Sequence, residues 1–83
     1  VDSICEPDPT AKAQIDALPS DAVRSLAEAL EVLSVSPWSG TPLKPDNPNC
    51  TTLTWAFGRG RGMVTYLVME PQREVYIVRV HWL

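Results

Sequence analysis

His81 stands two residues after Arg79 in the run VYIVRVHWL, and two further arginines, Arg59 and Arg61, alternate with glycines in FGRGRGMV. Imidazole changes charge between about pH 5 and 8 without help from its surroundings, so His81 is the side chain suited to moving a proton at neutral pH. Guanidinium groups stay charged and present a fixed fork of donors to phosphate oxygens. An imidazole among such cations suits metal-free cleavage of RNA. There a base removes the 2′-hydroxyl proton, an acid protonates the leaving oxygen, and cations hold the charge that builds on phosphorus. His81 would move the proton, while Arg59, Arg61 and Lys44 would supply the charge. Each residue also has a plainer use. A lone histidine is often a surface group, paired arginines can simply solubilise a hairpin tip, and Trp55 and Tyr66, suitable as platforms for bases, serve more often in a core. Residue types alone leave the function open.

Whether these groups meet depends on the elements that carry them. From Thr52 the pattern has period two, the signature of half-buried strands. Leu53, Trp55 and Phe57 share one face; Val64, Tyr66 and Val68 alternate with Met63, Thr65, Leu67 and Met69. In the last run Val75, Ile77, Arg79 and His81 alternate with Tyr76, Val78, Val80 and Trp82. The second set is the more apolar and is expected to face the core, which turns Arg79 and His81 toward solvent with Val75 and Ile77 at their apolar end. Gly58, Gly60 and Gly62 are expected to supply the positive φ angles of the first reversal, and EPQR, Glu70 to Arg73, the second.

Upstream, Val1 to Glu6 reads as a short edge strand stopped by Pro7 and Pro9. Thr10 is the expected N-cap of a short helix with Ala11, Ile15 and Leu18 on one face, ended by Pro19. Ser20 caps the next helix, with Asp21 in its first turn and Val23, Leu26, Ala27, Leu30 and Leu33 as its apolar stripe. The 17-residue connection from Ser36 to Thr52 holds Pro37, Pro42, Pro45 and Pro48. Connections of that length are usually functional or mobile, and Trp38 is expected to anchor this one on the core. The whole reads as one α+β domain over residues 1–83, a helical hairpin packed on a mainly antiparallel sheet of about four strands in the order β-α-α-β-β-β.

Composition narrows the function classes. No run reaches the length of a bilayer span, and the first residues lack a signal-type apolar block. Cys5 and Cys50 have no disulfide-framework spacing and are expected to be free thiols in a reducing, cytoplasmic setting, with a secreted two-cysteine module as the alternative. With one histidine and no CxxC pair, neither a metal nor another cofactor is expected. The first fifty residues carry eight acids against three bases, and the remainder four arginines against two glutamates. The basic half can hold an anion locally, although a net charge of −3 gives little long-range attraction to nucleic acid.

The order of elements, together with three local signatures, resembles the RelE/ParE superfamily of toxins from type II toxin–antitoxin systems. PWSGTPLK at Pro37 to Lys44 is similar to the family's proline-glycine loop, GMVTYLV at Gly62 to Val68 to its third strand, and VYIVRVHWL to its last. The resemblance implies a cytoplasmic toxin silenced by a cognate antitoxin. In the RelE and YoeB branches the activity is ribosome-dependent cleavage of messenger RNA, with ribosome and mRNA as partners; in the ParE branch it is inhibition of gyrase by binding. Carried over residue by residue, His81 and Lys44 keep catalytic places of the family; with Arg61 they form the expected catalytic set, and Arg59 and Arg79 are expected as secondary, phosphate-binding cations. The sequence departs from the YoeB-like pattern where Thr41 replaces an acid, Met63 an arginine and Trp82 a tyrosine. Arg61, two positions before Met63, would substitute for the missing arginine if the strand reached it. These departures keep the alternative open, a ParE-like or catalytically degenerate toxin that acts only by binding protein.

Overall fold

The computed structural model describes residues 3–44, 46–47, 50–70 and 72–83. Strand β1 (Ser3–Ile4) leads to helices α1 (Pro9–Asp16) and α2 (Ser20–Val35), a short 3-10 turn (Pro37–Ser39), and strands β2 (Thr41–Pro42), β3 (Thr52–Phe57), β4 (Gly62–Met69) and β5 (Glu74–Trp82). The expected α+β plan stands, with one correction: the sheet has five strands, in the order β1-β5-β4-β3-β2. The extra strand is Thr41–Pro42, which pairs antiparallel with β3 inside what reads as an unstructured connection. A proline is tolerated there because β2 is an edge strand. At the opposite edge β1 pairs parallel with β5, and the expected Val1–Glu6 strand is Ser3–Ile4, Val1 and Asp2 lying outside the described residues. Of the connection's four prolines, Pro45 and Pro48 also lie outside them.

Both helix starts differ by a residue or two from the expected caps. Asp8 caps α1 by accepting the Thr10 N–H at 3.1 Å, with Pro9 at the first helical position, where its missing N–H leaves no bond unmade. Pro19 occupies the cap position of α2, and Ser20 is the first helical residue. The buried stripe of α2 is Ala22, Leu26, Ala29 and Leu33, spaced by four, three and four, whereas Val23 and Ala27 point to solvent. Small alanines let the helix approach the sheet closely, so the stripe rotates toward them and away from Val23.

The sheet face under the helices carries Leu53 and Phe57 from β3, Val64, Tyr66 and Val68 from β4, and Val75, Ile77 and Val80 from β5, all buried. The alternation of β5 breaks in its middle. Thr65 of β4 faces Arg79 while its neighbour Tyr66 faces Ile77, so Val78 is an extra residue, a β-bulge. Uninterrupted alternation would have placed Tyr76 and Val78 in the core. The bulge instead buries Val75, Ile77 and Val80 together and leaves Tyr76 and Val78 half-buried.

Beyond its pairing with β1, the outer edge of β5 is met at three points. Val75 C=O accepts the Cys5 N–H at 2.8 Å, Ile77 C=O accepts the Asp8 N–H at 3.0 Å, and the Val80 N–H donates to Gln14 Oε1 at 2.7 Å. The other edge is covered for a shorter distance. Val68 N–H donates to Thr51 C=O and Leu43 N–H to Thr52 C=O, so the even-numbered residues of β3 direct their backbone groups away from β4. Thr52 and Thr54 meet the β2 segment there, but Ala56, exposed, lies past its end.

Candidate functional site

The face of the sheet turned away from the helices is open, and β5 delivers Arg79 and His81 to it. Both are exposed, two positions apart on one strand, with Val80 between them turned to the core. Directly across the ladder, Arg79 faces Thr65 and His81 faces Met63. Thr65 in turn faces Thr54, which faces Thr41, so a row of three threonines runs across the sheet to Arg79. Sequence reasoning did not single out Thr54 or Thr65; only the strand register brings them into line with the arginine.

Met63, the position at which the resemblance expects an arginine, is therefore the cross-strand neighbour of the histidine. The place is right, but its side chain is an apolar thioether, 41% exposed. Thr41 stands at the far end of the threonine row, three strand spacings or about 14 Å from Arg79. Trp82 points to the helix side, where its ring stacks on Phe57 with centroids 5.7 Å apart.

The hairpin tip is built by backbone conformation. Gly58 has φ 61°, Arg59 φ 60° and Gly60 φ 86°, a run of left-handed residues in which the Arg61 N–H bonds to Gly58 C=O at 3.3 Å. Gly62 differs from expectation, being the first residue of β4, with the Phe57 ring in the space a side chain would occupy. Strand β4 stops short of Arg61. The Arg61 guanidinium carbon lies 4.9 Å from the centroid of the Trp82 ring, and its Nη2 donates to the Leu83 carbonyl at 3.3 Å. Arg61 thus lies against a ring that projects from the face opposite to His81, while Arg59 is exposed at the tip.

Lys44 is not brought to His81. It follows Leu43, whose partner Thr52 lies opposite Leu67, four residues along β4 from Met63. That places it about 13 Å along the strands and about 14 Å across them from the histidine, beyond the combined reach of the two side chains. Lys44 instead borders a cavity of about 260 Å³ with Leu43, Asn47, Cys50, Thr51 and Thr52. A larger cavity of about 520 Å³ adjoins it through Cys50 and Thr51 and is walled by Trp38, Leu67, Met69, Glu70 and Gln72.

The loop that carries Lys44 is held by a tyrosine rather than by its tryptophan. Tyr66, fully buried, donates to Pro37 C=O at 2.6 Å and accepts the Gly40 N–H at 3.1 Å. Gly40 has no room for a side chain, because a Cβ there would meet the Tyr66 hydroxyl and the Thr54 carbonyl. Burial raises the Tyr66 phenol above its ordinary pKa, which keeps it a hydroxyl donor. Pro37 is the buried anchor, and Trp38, expected in that role, is 47% exposed with its Nε1–H donating to Glu70 Oε1 at 3.0 Å.

The two thiols have different surroundings. Burial and the Glu74 carboxylate, which accepts from Cys5 Sγ at 3.4 Å, raise the Cys5 pKa. Backbone hydrogen bonding by Lys44 and Thr52 lowers the Cys50 pKa, with help from the Lys44 charge, and outweighs the contact in which the Cys50 thiol donates to the Thr52 carbonyl at 3.2 Å. Cys5 extends β1 and Cys50 precedes β3, three strand spacings apart or about 14 Å, too far for a disulfide. No group of histidine, cysteine and carboxylate side chains able to hold a metal occurs among the described residues, and no helix among them is long and apolar enough to cross a membrane.

No protein-family model matches the sequence, and no curated protein matches it. A solved structure does: a chain of the toxin–antitoxin complex RelBE2 from Mycobacterium tuberculosis superposes with a TM-score of 0.72 at 24% identity, over 98% of this chain and 96% of that one. The two helices and the sheet of five strands seen here thus have the fold of a chain of that complex.

Proposed function

We propose that the chain is the toxin of a type II toxin–antitoxin pair, held inactive by an antitoxin in the cytoplasm, and that it cleaves messenger RNA on the ribosome without a metal. The shared fold with a chain of RelBE2 supports the pairing. The observation that carries the chemistry is that Arg79 and His81 stand exposed together on the open face, two positions apart on β5, while Val80 between them stays in the core. His81 serves as acid or base, and Arg79 holds the phosphate beside it. Arg59, Arg61 and Lys44 lie outward of that centre and contact flanking phosphates.

A purified ribosome translating a defined message is the test. Cuts in the message that His81→Ala reduces by about 10²–10⁴-fold are expected. Intact message with the unaltered protein would end the nuclease reading. The neutral residues Met63 and Thr41 beside and beyond the histidine favour a second reading in that event, a toxin that inhibits by binding alone. Gyrase inhibition that survives His81→Ala would be its mark.

A further inference from the structure

The two adjoining cavities at the far end of the open face have complementary chemistry. In the larger, the Trp38 indole forms one wall. Its orientation is set by the 3.0 Å bond from Nε1–H to Glu70, and its ring is 47% exposed. Leu67 and Met69 supply apolar surface, while Glu70, Gln72 and Thr51 supply polar groups. A planar ring stacked on an indole with polar groups at its rim is how single-stranded bases are held. Glu70 makes the site hostile to an anion, so a phosphate must lie elsewhere. The smaller cavity, sharing Cys50 and Thr51 with the first, offers the Lys44 ammonium.

We propose that these cavities form one nucleotide site, with the base on Trp38 and its phosphate on Lys44, separate from the centre at His81. The inference rests on the RNA-directed reading above and gives Lys44 and Trp38 a shared role in it. Glu70 is an acceptor when ionised, so the site prefers a base that carries an amino group. Met69, at the rim of the larger cavity, is six residues along β4 from Met63, the neighbour of His81, or about 20 Å. The bound nucleotide is therefore several positions away from the bond that is cut, and the site selects sequence or strand position without touching the reaction.

The test uses the full chain with His81→Ala, titrated with millimolar AMP, GMP, CMP and UMP while the Trp38 indole N–H is followed by NMR and identified by its loss in Trp38→Phe. Saturable movement is expected with AMP, GMP and CMP, and weakest with UMP. Adenosine should bind about tenfold more weakly than AMP, and Lys44→Ala should abolish that difference. A cross-peak unmoved by all four nucleotides overturns the proposal, as does equal affinity for AMP and adenosine. Nucleotide binding by a protein that leaves ribosomal message intact would sink the nuclease reading and keep the site; cleavage without nucleotide binding would sink the site alone.

Discussion

The Tyr66 hydroxyl and the Pro37 carbonyl, 2.6 Å apart, join the centre of the sheet to the loop that follows α2. Because the phenol also receives the Gly40 N–H, its loss leaves two backbone groups without a partner. Tyr66→Phe should destabilise the fold by about 1–3 kcal/mol, read as a lower denaturant midpoint with an unchanged slope. Gly40→Ala should act in the same direction, since its Cβ would strike the same hydroxyl.

The bulge makes opposite demands on neighbouring residues of β5. Ile77 is fully buried, and Ile77→Ala should cost about 2–5 kcal/mol. Val78 is half-buried and lies off the core face, so Val78→Ala should cost under about 1 kcal/mol. Chemical denaturation of the two variants decides the matter, and a reversed order would mean that the strand alternates without interruption.

Reactivity should separate the two cysteines. The thiolate is the nucleophile, so at a given pH the thiol with the lowered pKa holds more of it. Cys50 should therefore be alkylated by iodoacetamide before Cys5 near neutral pH, and raising the pH should narrow the gap as Cys5 ionises. Peptide mapping by mass spectrometry gives the order; faster labelling of Cys5 would contradict the environments described.

Arg61 is expected to matter more to the tip than to the chemistry. Arg61→Ala removes an exposed contact with the Trp82 ring and should lower stability by about 0.5–1 kcal/mol. In the ribosomal assay Arg79→Ala should reduce cutting more than Arg61→Ala or Lys44→Ala does. The opposite ranking would place the reacting phosphate at the hairpin tip.

Much of this was legible from residue order. The helical hairpin, three long strands and the outward facing of Arg79 and His81 follow from apolar periods of 3.6 and two. What escaped has specific physical causes. An extra residue at Val78 leaves no mark in a run of branched and aromatic side chains, so strict period two puts Val75 and Ile77 on the wrong face. Strand β2 is two residues long and contains a proline, too little for any period. Trp38 looked like the anchor because it is large, yet the anchor is set by a hydrogen bond from Tyr66, twenty-nine residues away along the chain. The separation of Lys44 from His81 depends on strand order and register, which sequence spacing does not contain.

The uneven covering of the sheet has a consequence for assembly. Cys5, Asp8 and Gln14 occupy three backbone groups of β5, whereas Ala56 on β3, exposed, lies past the end of β2. An added strand would find its place beside β3 rather than beside β5.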